Sequence, residues 1–390
     1  MELEAFRALR TTEGERVLAE VTASGVHEST LLATISALRG RYPEALVSAA
    51  VTQVRLRQRA VPKFGADAAD MFFTTDGVEQ ATRASVAAHR AARFAQSERV
   101  LDLCCGVGGD LIALSRSGVA VHGVDLDPLT VEVARANAEV LGLTAATVTQ
   151  GDVQEVDLAG WPAAFCDPGR RGGGRRVFNP RAYSPPFEFL LRLAAEVPAV
   201  GAKVAPGIPH DLVPAGAEAE WVSDGGDVKE AALWFGPLST VERRATLLPS
   251  GATVVSRGAV AETGPVGNWL YEPDGAVIRA GLVAEVAADI GARLIDPTIA
   301  YLTADSLVTS EFTSAYEIVE TFGFSLKRLR AALRDRDIGN VTVKKRGSAI
   351  DPALLRRELR LSGSGHIVVV LTRVAGAPTV LLCHPAPPVP

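Results

Sequence analysis

The sequence predicts an α/β fold in which a parallel sheet with helices on both faces ends in an antiparallel hairpin. A helical region precedes this sheet, and a smaller α+β domain follows it. The first observation is a rhythm of strand, turn and helix from Arg99 onward, which indicates a parallel sheet. The second is a pair of apolar runs about an Asp-Gly-Gly-Asp turn at residues 224–227, typical of a hairpin. The third is a different alternation of strands and helices after about residue 256.

The N-terminal part of the chain, up to about Gln80, has Leu and Val at helical spacing with an interruption at Pro43. At its end, residues 63–82 read as a structured loop. The following segment, ASVAAHRAARFA, reads as a helix leading into the first strand. We therefore expect a helical N-terminal region over residues 1–83.

The central part of the chain supplies the parallel sheet, predicted over residues 84–240. The predicted strands are RVLDL, VAVHGVDL, ATVTQGD, PAAFCD and GAKVAPG. The helices between the first strands are GGDLIALSRSG and PLTVEVARANAEVLGL, and Pro128 suits a first helical turn. ERRATLL and TVVSR follow as a further hairpin that marks the boundary.

The C-terminal part is predicted as an α+β domain over residues 241–385. WLYEPDGAVIRAGLVAEVAADIG reads as a loop and then a helix, and YEIVETF and NVTVKKRG read as strands. SLKRLRAALRDRDIG reads as a helix with a Ser cap and a Gly stop, and DPALLRRELRL as another helix. HIVVVLTRV and PTVLLCH form a closing hairpin ahead of a Pro-rich tail.

Composition bounds the class of protein. With 390 residues, 47% hydrophobic and 22% charged, the chain is expected to form more than one well-packed domain. No apolar run reaches the roughly 20 residues that span a bilayer, and MELEAFRALR is unlike a secretory signal. The four cysteines form no CxxC pair. We expect a cytoplasmic protein without a metal site and without a membrane partner.

Charge is unevenly distributed along the chain. Residues 321–390 carry 12 Lys and Arg against 4 Asp and Glu, although the whole chain has a net charge of -5. A basic module on an acidic body suggests a polyanion such as nucleic acid. Lys344, Lys345 and Arg346, on or after a predicted strand, are candidate contacts to it. A solvated basic surface is the alternative.

A glycine turn and a series of acids point to a nucleoside cofactor. Gly106 and Gly108 lie where the first strand turns into a helix, so the backbone can approach a ligand at the sheet edge. An acid lies in or just after each of four successive strands: Asp102, Asp125, Asp152 and Asp167. S-adenosylmethionine (SAM) has no pyrophosphate. It needs a carboxylate for its ribose (Asp125), an acceptor for its adenine amine (Asp152) and a site near Asp102 for its charged methionine end. NAD is the alternative ligand.

These residues carry a family resemblance. The stretch RVLDLCCGVGGDLIALSRSGVAVHGVDLDPLTVEVARANAEVLGL resembles class I SAM-dependent methyltransferases, and especially the RNA cap guanine-N2 (trimethylguanosine synthase) group. The resemblance implies a Rossmann-like sheet that holds SAM, with Cys104 where most members have their first glycine. By analogy Thr82, and beside it Gln80, would line the SAM pocket. The C-terminal part, with VKKRG and ALLRRELRL, is similar to a THUMP-like domain, and THUMP domains bind RNA.

The loop after the fourth strand is the expected reacting centre. The resemblance implies that Asp167 and the Pro168 backbone accept hydrogen bonds from a target amine. Many relatives have a second Pro and an aromatic residue next, whereas this chain has Gly169 and Arg170. Arginines can stack on bases or hold phosphates, and Phe178 or Tyr183 could replace the missing aromatic. The candidate substrate-binding residues of this loop are Arg170, Arg171, Arg175, Arg176 and Phe178.

The sequence thus predicts a SAM-dependent methyltransferase acting on RNA, such as rRNA or tRNA. The favoured target is an exocyclic base amine, guanine N2 first, because transfer to an amine needs mainly positioning. One alternative is a methyltransferase for a protein or a small molecule. Another is a non-catalytic RNA-binding protein on the same scaffold.

Overall fold

The structure is a computed structural model that describes residues 1–25, 28–169, 171–172, 175–176 and 183–387. The side chains of residues 28–32, 34, 171–172 and 175–176 lie outside this description. The chain divides into two compact units. The first comprises Met1–Glu218 and Ala231–Thr240, and the second comprises Ala219–Glu230 and Val241–Pro390. The predicted domains of residues 1–83, 84–240 and 241–385 stay predictions.

The N-terminal part of the first unit is helical, as predicted. Its helices are α1 (Leu3–Leu9), α2 (Thr12–Ser24), α3 (Glu28–Arg39), α4 (Glu44–Phe64), α5 (Thr75–Gln80) and α6 (Ala84–Arg93). Pro43 separates α3 from α4, as expected. The segment predicted as a loop contains α5, whose cap Thr74 accepts a hydrogen bond from the amide of Gly77 at 2.9 Å. A helix this short has too few turns to show a periodic pattern.

The remaining elements of the first unit form a parallel sheet with its helices and a separate two-stranded pair, β5–β6. They are β1 (Arg99–Leu103), α7 (Gly109–Arg116), β2 (Ala120–Asp125), α8 (Pro128–Val140), β3 (Ala146–Gln150), β4 (Ala163–Cys166), β5 (Arg171–Gly172), β6 (Arg175–Arg176), α9 (Phe187–Glu196) and β7 (Ala199–Val204). The parallel order is β3-β2-β1-β4-β7. Next along the chain come β8 (Glu218–Asp224) and β9 (Asp227–Phe235), and residues 231–235 of β9 pair antiparallel with β7. The mixed α/β fold is thus confirmed.

The strand order determines where a ligand can bind. β1 lies between β2 and β4, so the chain moves to one side of β1 first and to the other side later. In open α/β sheets the crevice at such a reversal, at the carboxyl ends of the strands, is the usual ligand site. The loops after β1, β2 and β4 therefore meet at one edge.

A buried asparagine joins the N-terminal helical region to this edge. Asn137 in α8 accepts a hydrogen bond from the amide of Phe72 at 2.7 Å and donates to the carbonyls of Phe72 and Val107 at 3.0 and 2.9 Å. Asn137 is fully buried, so all three bonds are shielded from water. They hold the segment that leads to α5 and Thr82 against the glycine turn.

The second unit contains a hairpin and a mixed sheet. β10 (Arg243–Leu248) and β11 (Ala252–Val255) form the predicted antiparallel hairpin. The other elements are β12 (Trp269–Pro273), α10 (Gly275–Ala280), α11 (Val283–Ile290), β13 (Arg293–Leu294), β14 (Leu302–Ala304), β15 (Thr313–Gly323), α12 (Leu326–Arg334), β16 (Ile338–Lys345), α13 (Pro352–Leu359), β17 (Gly365–Val374) and β18 (Ala377–Pro385). The sheet order is β13-β14-β12-β15-β18-β17-β16, and α12 and α13 contribute Leu329, Leu333 and Leu355 to a core on it.

Two details of the second unit differ from the sequence prediction. The expected loop and single helix from Trp269 are a strand and two helices, because Gly281 adopts a left-handed conformation (φ 68°) that ends α10. The helix with the Ser325 cap ends at Arg334, and the predicted stop, Gly339, lies instead inside β16. The closing β17–β18 hairpin is antiparallel, as predicted.

Candidate active site

A cavity of about 640 Å³ lies at the carboxyl edge of the parallel sheet. Its walls come from the glycine turn, from the segments after β2, β3 and β4, from β7, and from residues 74–82. The sequence-predicted site residues that line it are Thr82, Cys104, Gly106, Asp125, Asp152, Asp167 and Pro168. The structure therefore brings five of the seven predicted cofactor residues and the predicted reacting centre into one cavity, but not Asp102 and Gly108.

The glycine turn is shaped by backbone conformation. Cys104, Gly106 and Gly108 have φ angles of 62°, 56° and 93°, in the left-handed region that favours glycine. A Cβ at Gly106 would meet nothing within 4 Å, so its conformation, rather than crowding, favours glycine. Gly108 does not line the cavity but forms the N-cap of α7.

Asp125 is joined to this turn by its carboxylate. One oxygen accepts a hydrogen bond from the amide of Gly106 at 2.9 Å, and the other accepts from the amide of Asp127 at 3.1 Å. Burial raises the pKa of Asp125 above its usual value, and these amide hydrogen bonds oppose that rise. The carboxylate is therefore held at the cavity wall, where a ligand hydroxyl could donate to it.

The wall after β2 and β3 combines an apolar and a polar group. Leu126, which lies between two acids in the sequence, is 66% exposed although its side chain is apolar, and it lines the cavity. Asp152, on the same wall, accepts a hydrogen bond from the amide of Gln154 at 2.9 Å. The pair offers an apolar surface and a nearby acceptor, as a purine with an amino group requires. Leu126 was not predicted from the sequence. The pattern that could have indicated it is a single apolar residue between two acids at the end of a strand.

Asp102 lies beneath the cavity and does not line it. It is 1% exposed, and both of its carboxylate oxygens lack a hydrogen-bond partner within the described part of the chain. Burial raises its pKa well above the usual value, Asp110 and Asp167 raise it further, and Arg90 opposes them. The group is therefore poised to be a neutral carboxyl, which can donate a hydrogen bond.

Two buried cations meet at the hydroxyl of Thr82. Arg90 donates to Thr82 Oγ1 at 3.0 Å and to Asp110 Oδ1 through Nε at 3.0 Å. Lys203 Nζ also donates to Thr82 Oγ1 at 3.0 Å. Sequence reasoning missed Arg90, Asp110 and Lys203. For Lys203 the signal was present, since a lysine interrupts the apolar strand AVGAKV.

Asp167 also contacts Lys203. Its Oδ2 accepts a hydrogen bond from Lys203 Nζ at 2.5 Å. Pro168 and Gly169 follow on the cavity wall, and Gly169 exchanges two backbone hydrogen bonds with Ser184 at 2.7 and 2.9 Å. This exchange closes the base of the loop that carries the arginines.

Much of the arginine loop lies outside the described residues, including Arg170 and Phe178. For Arg171, Arg175 and Arg176 only the backbone is described, as the short antiparallel pair β5–β6. Tyr183, the other aromatic candidate for stacking, is 4% exposed, and its hydroxyl accepts a hydrogen bond from the amide of Ala205 at 3.0 Å. Tyr183 is therefore a packing residue.

In the second unit, the three candidate RNA contacts have different surroundings. Lys344 Nζ donates to Glu272 Oε2 at 2.5 Å, and Arg346 lies 3.8 Å from Glu272 Oε1. Lys345, between them, is exposed. Additional exposed cations lie on α12 and α13 or directly after α13: Lys327, Arg334, Arg356, Arg357 and Arg360. The basic character predicted for this part of the chain thus lies largely on these helices.

The described residues offer neither a metal centre nor a membrane span. No cluster of His, Cys, Asp and Glu in those ranges has the arrangement needed to hold a metal ion. In the same ranges, no helix combines the length and the apolar character of a membrane span.

The cavity chemistry fits SAM. The carboxylate of Asp125, bonded to the glycine turn, suits ribose hydroxyls, Leu126 with Asp152 suits adenine, and the Thr82 hydroxyl suits a polar amino-acid end, whereas Asp102 lies outside the cavity lining. No phosphate-binding arrangement of cations is needed for such a ligand.

Comparison with known proteins gives matches over several parts of the chain. Residues 100–166 match a family described as a methyltransferase domain, residues 313–385 match a family described as THUMP domain-like, and residues 2–60 match a domain of unknown function.

Individual proteins are also similar. The uncharacterized S-adenosylmethionine-dependent methyltransferase Rv3037c of Mycobacterium tuberculosis is 37% identical over 347 residues, covering 85% of this chain and 95% of that protein. A 23S rRNA (uracil(747)-C(5))-methyltransferase of Pyrococcus horikoshii is 34% identical over 80 residues, which cover 20% of this chain and 19% of that protein. A crystal structure from Porphyromonas gingivalis W83 shares the fold with a TM-score of 0.76, 20% identity and coverage of 97% of this chain and 96% of that chain.

Proposed function

Since the chain belongs to the S-adenosylmethionine-dependent methyltransferases and carries a THUMP-like domain at residues 313–385, we propose that its substrate is RNA. We propose further that the methyl group goes to an exocyclic base amine, with guanine N2 as the first choice. The rRNA and tRNA of the cell are the expected acceptors. The observation that carries the proposal is the position of Asp167 on the wall of the cofactor cavity, held by Lys203.

SAM, the cofactor of the family, supplies a methyl group on a positively charged sulfur. Asp125 would receive the ribose hydroxyls, and Leu126 with Asp152 would receive the adenine. Thr82, Cys104 and the glycine turn would surround the methionine end. In this arrangement the residues of the chain bind and orient the donor.

Asp167 and the backbone of Pro168 would orient the acceptor. An amine has its own lone pair, so it needs acceptors for its hydrogens and a fixed approach to the methyl group. A carboxylate oxygen of Asp167 and the carbonyl of Pro168 supply such acceptors at the cavity wall. Because a well-placed amine needs no separate nucleophile on the protein, this chemistry agrees with the groups found there.

Three features support RNA as the acceptor. One is the THUMP-like domain with its exposed cations: those on α12 and α13 and, in addition, Lys345. Another is the loop carrying Arg170, Arg171, Arg175, Arg176 and Phe178, which follows the proposed reacting centre and would contact phosphates and a base. The third is the similarity over 80 residues to a 23S rRNA methyltransferase. Lys344 and Arg346 would contribute only if RNA competes with Glu272 for them.

Two other acceptors remain to be tested against this proposal. The P. horikoshii relative is named for uracil C5, a carbon that must first be activated by addition of a nucleophile to the ring. A protein or a small molecule is the other alternative, and it predicts a methyl transfer that is insensitive to salt, unlike binding to a polyanion.

The experiment is transfer of tritium from methyl-labelled SAM to RNA, with protein and metabolite fractions assayed in parallel. RNA from cells that lack the gene is the right acceptor, because its target would be unmodified. Label in RNA with the wild type, lost with Asp167→Ala, is the expected result. Label in the protein or metabolite fraction and not in RNA would overturn the proposal.

A further inference from the structure

A lysine lies in a fully buried strand of the first unit. All six residues of β7 are buried, and Lys203 is 4% exposed. Taking an ammonium group out of water is costly unless it is paired and hydrogen-bonded. An apolar residue would pack in this strand without that cost, so the lysine calls for an explanation in its contacts.

Those contacts lead to the reacting centre on one side and to the cofactor wall on the other. Lys203 Nζ donates to Asp167 Oδ2 at 2.5 Å and to Thr82 Oγ1 at 3.0 Å. Thr82 Oγ1 also accepts a hydrogen bond from Arg90 at 3.0 Å. The side chain of Asp167, the other partner of Lys203, is 23% exposed. The ammonium is therefore fixed at two points, and Asp167 is the more accessible partner.

The contact determines which part of Asp167 faces a substrate. A carboxylate has two oxygens, and Lys203 occupies Oδ2. With that oxygen held, rotation of the carboxylate is restricted, and within the described part of the chain Oδ1 remains to accept from an amine.

We propose that Lys203 is the positioning residue of the transfer step: it holds the carboxyl group of Asp167 in one orientation, so that Oδ1 receives the acceptor amine. This inference rests on the proposed role of Asp167. The inference goes beyond that role because it makes Lys203, which lies on another strand and 36 positions further along the chain, responsible for the orientation of Asp167.

A double-mutant cycle separates positioning from a purely structural role. The variants are Lys203→Met, which is similar in size without the charge, Asp167→Asn, and the two combined. With Lys203→Met we expect a kcat about 100-fold lower, as for other small misplacements of a reacting group, and a SAM affinity within about threefold of the wild type. In the Asp167→Asn background the same change should cost less than about threefold, because the carboxylate through which Lys203 acts is absent.

Rescue and controls complete the test. Lys203→Arg keeps a charge and should recover at least about tenfold of the loss in kcat. Lys229→Met, an equivalent change at a lysine that pairs with Asp227, should leave kcat unchanged. Thermal unfolding of each variant, with SAM present and absent, checks that the protein is folded. The proposal would be overturned if the double variant lost kcat by the product of the two single losses, which would mean that the two residues act independently. A Lys203→Met enzyme with normal kcat would also overturn it.

The two proposals can fail separately. The cycle is run on whichever fraction the wild type labels: RNA, protein or metabolites. Label confined to protein or metabolites overturns the RNA proposal and leaves the cycle to decide the role of Lys203. A wild type that binds SAM but labels none of the three fractions overturns both.

Discussion

The carboxylate of Asp125 accepts a hydrogen bond from the backbone amide of Gly106 at 2.9 Å. This contact joins the acid at the end of β2 to the glycine turn after β1. The proposed ribose site and the turn proposed to surround the methionine end are therefore joined by a hydrogen bond, and a change at Asp125 should affect both.

Asp125→Ala should weaken SAM binding about 10- to 100-fold, the effect of removing a hydrogen bond to a charged group. Titration calorimetry with S-adenosylhomocysteine measures it. Asp127→Ala is the matched control: Asp127 caps α8 by accepting from the amide of Thr130 at 2.8 Å, so its loss should cost about 1 kcal/mol of stability with a smaller effect on affinity. Equal affinities for Asp125→Ala and the wild type would contradict the assignment.

Thr82→Val should destabilise the first unit by about 1–3 kcal/mol, because Arg90 and Lys203 each lose a hydrogen-bond acceptor in a buried setting. It should also weaken SAM binding, since Thr82 lines the cavity. Urea unfolding measures the stability. Thr82→Ser keeps the hydroxyl and should restore both properties; a serine variant as unstable as the valine variant would show that the methyl group, and not the hydroxyl, matters.

Lys63 predicts a pH dependence of stability. Burial lowers the pKa of Lys63 from its ordinary 10.5 to about 8, with Lys203 and Arg83 adding to the effect, while its ammonium donates to the carbonyls of Glu79 and Ala81 at 2.7 Å. The folded protein therefore releases this proton at a lower pH than the unfolded chain. Stability linked to Lys63 should rise as the pH increases from about 8 to 10.5.

The measurement for Lys63 is the free energy of unfolding of the wild type minus that of Lys63→Met, at pH 7 and at pH 10. The variant removes the titrating group, so the difference isolates it from other ionisations. The difference should favour the wild type more at pH 10. A difference that is flat, or that falls with pH, would be inconsistent with a lowered pKa.

The exposed cations of α13 give a prediction for RNA binding. Arg356 and Arg357 are both exposed, and replacing them with Gln should lower RNA affinity and reduce the slope of log K against log salt. Each lost phosphate contact should reduce that slope by about 0.7–0.9. Arg293→Gln is the control, because Arg293 is already paired with Asp305 at 3.0 and 3.2 Å. An unchanged slope in the α13 variant would exclude this face as the contact.

The sequence predicted the parallel sheet and the acids of the cavity because the information is local. Each acid lies in or directly after a strand with a clear apolar pattern, and the carboxyl ends of parallel strands meet at one edge. Asp125 and Asp152 could be assigned to this edge without any knowledge of strand order. The family resemblance added the expectation for Thr82, which the cavity lining now supports.

The charged contacts could not be predicted, because they join residues far apart in the sequence. Lys203 and Thr82 are 121 positions apart, and Lys344 and Glu272 are 72 apart. The second pair explains why a run of cations is a poor guide to a binding surface: Glu272 engages Lys344, whereas Lys327 and Arg334 of α12 and Arg356 and Arg357 of α13 are exposed. The short helix α5 was missed because it does not span two full turns. The helix predicted after Trp269 was not divided into α10 and α11, because the left-handed conformation of Gly281 was not anticipated.

The central claim is that the methyl group is transferred to an amine of an RNA base beside Asp167. The most direct measurement is mass spectrometry of nucleosides from RNA of cells lacking the gene, after incubation with SAM bearing a trideuterated methyl group. The account predicts trideuterated N2-methylguanosine with the wild type and none with Asp167→Ala. Trideuterated 5-methyluridine, or no labelled nucleoside with an enzyme that binds SAM, would contradict it.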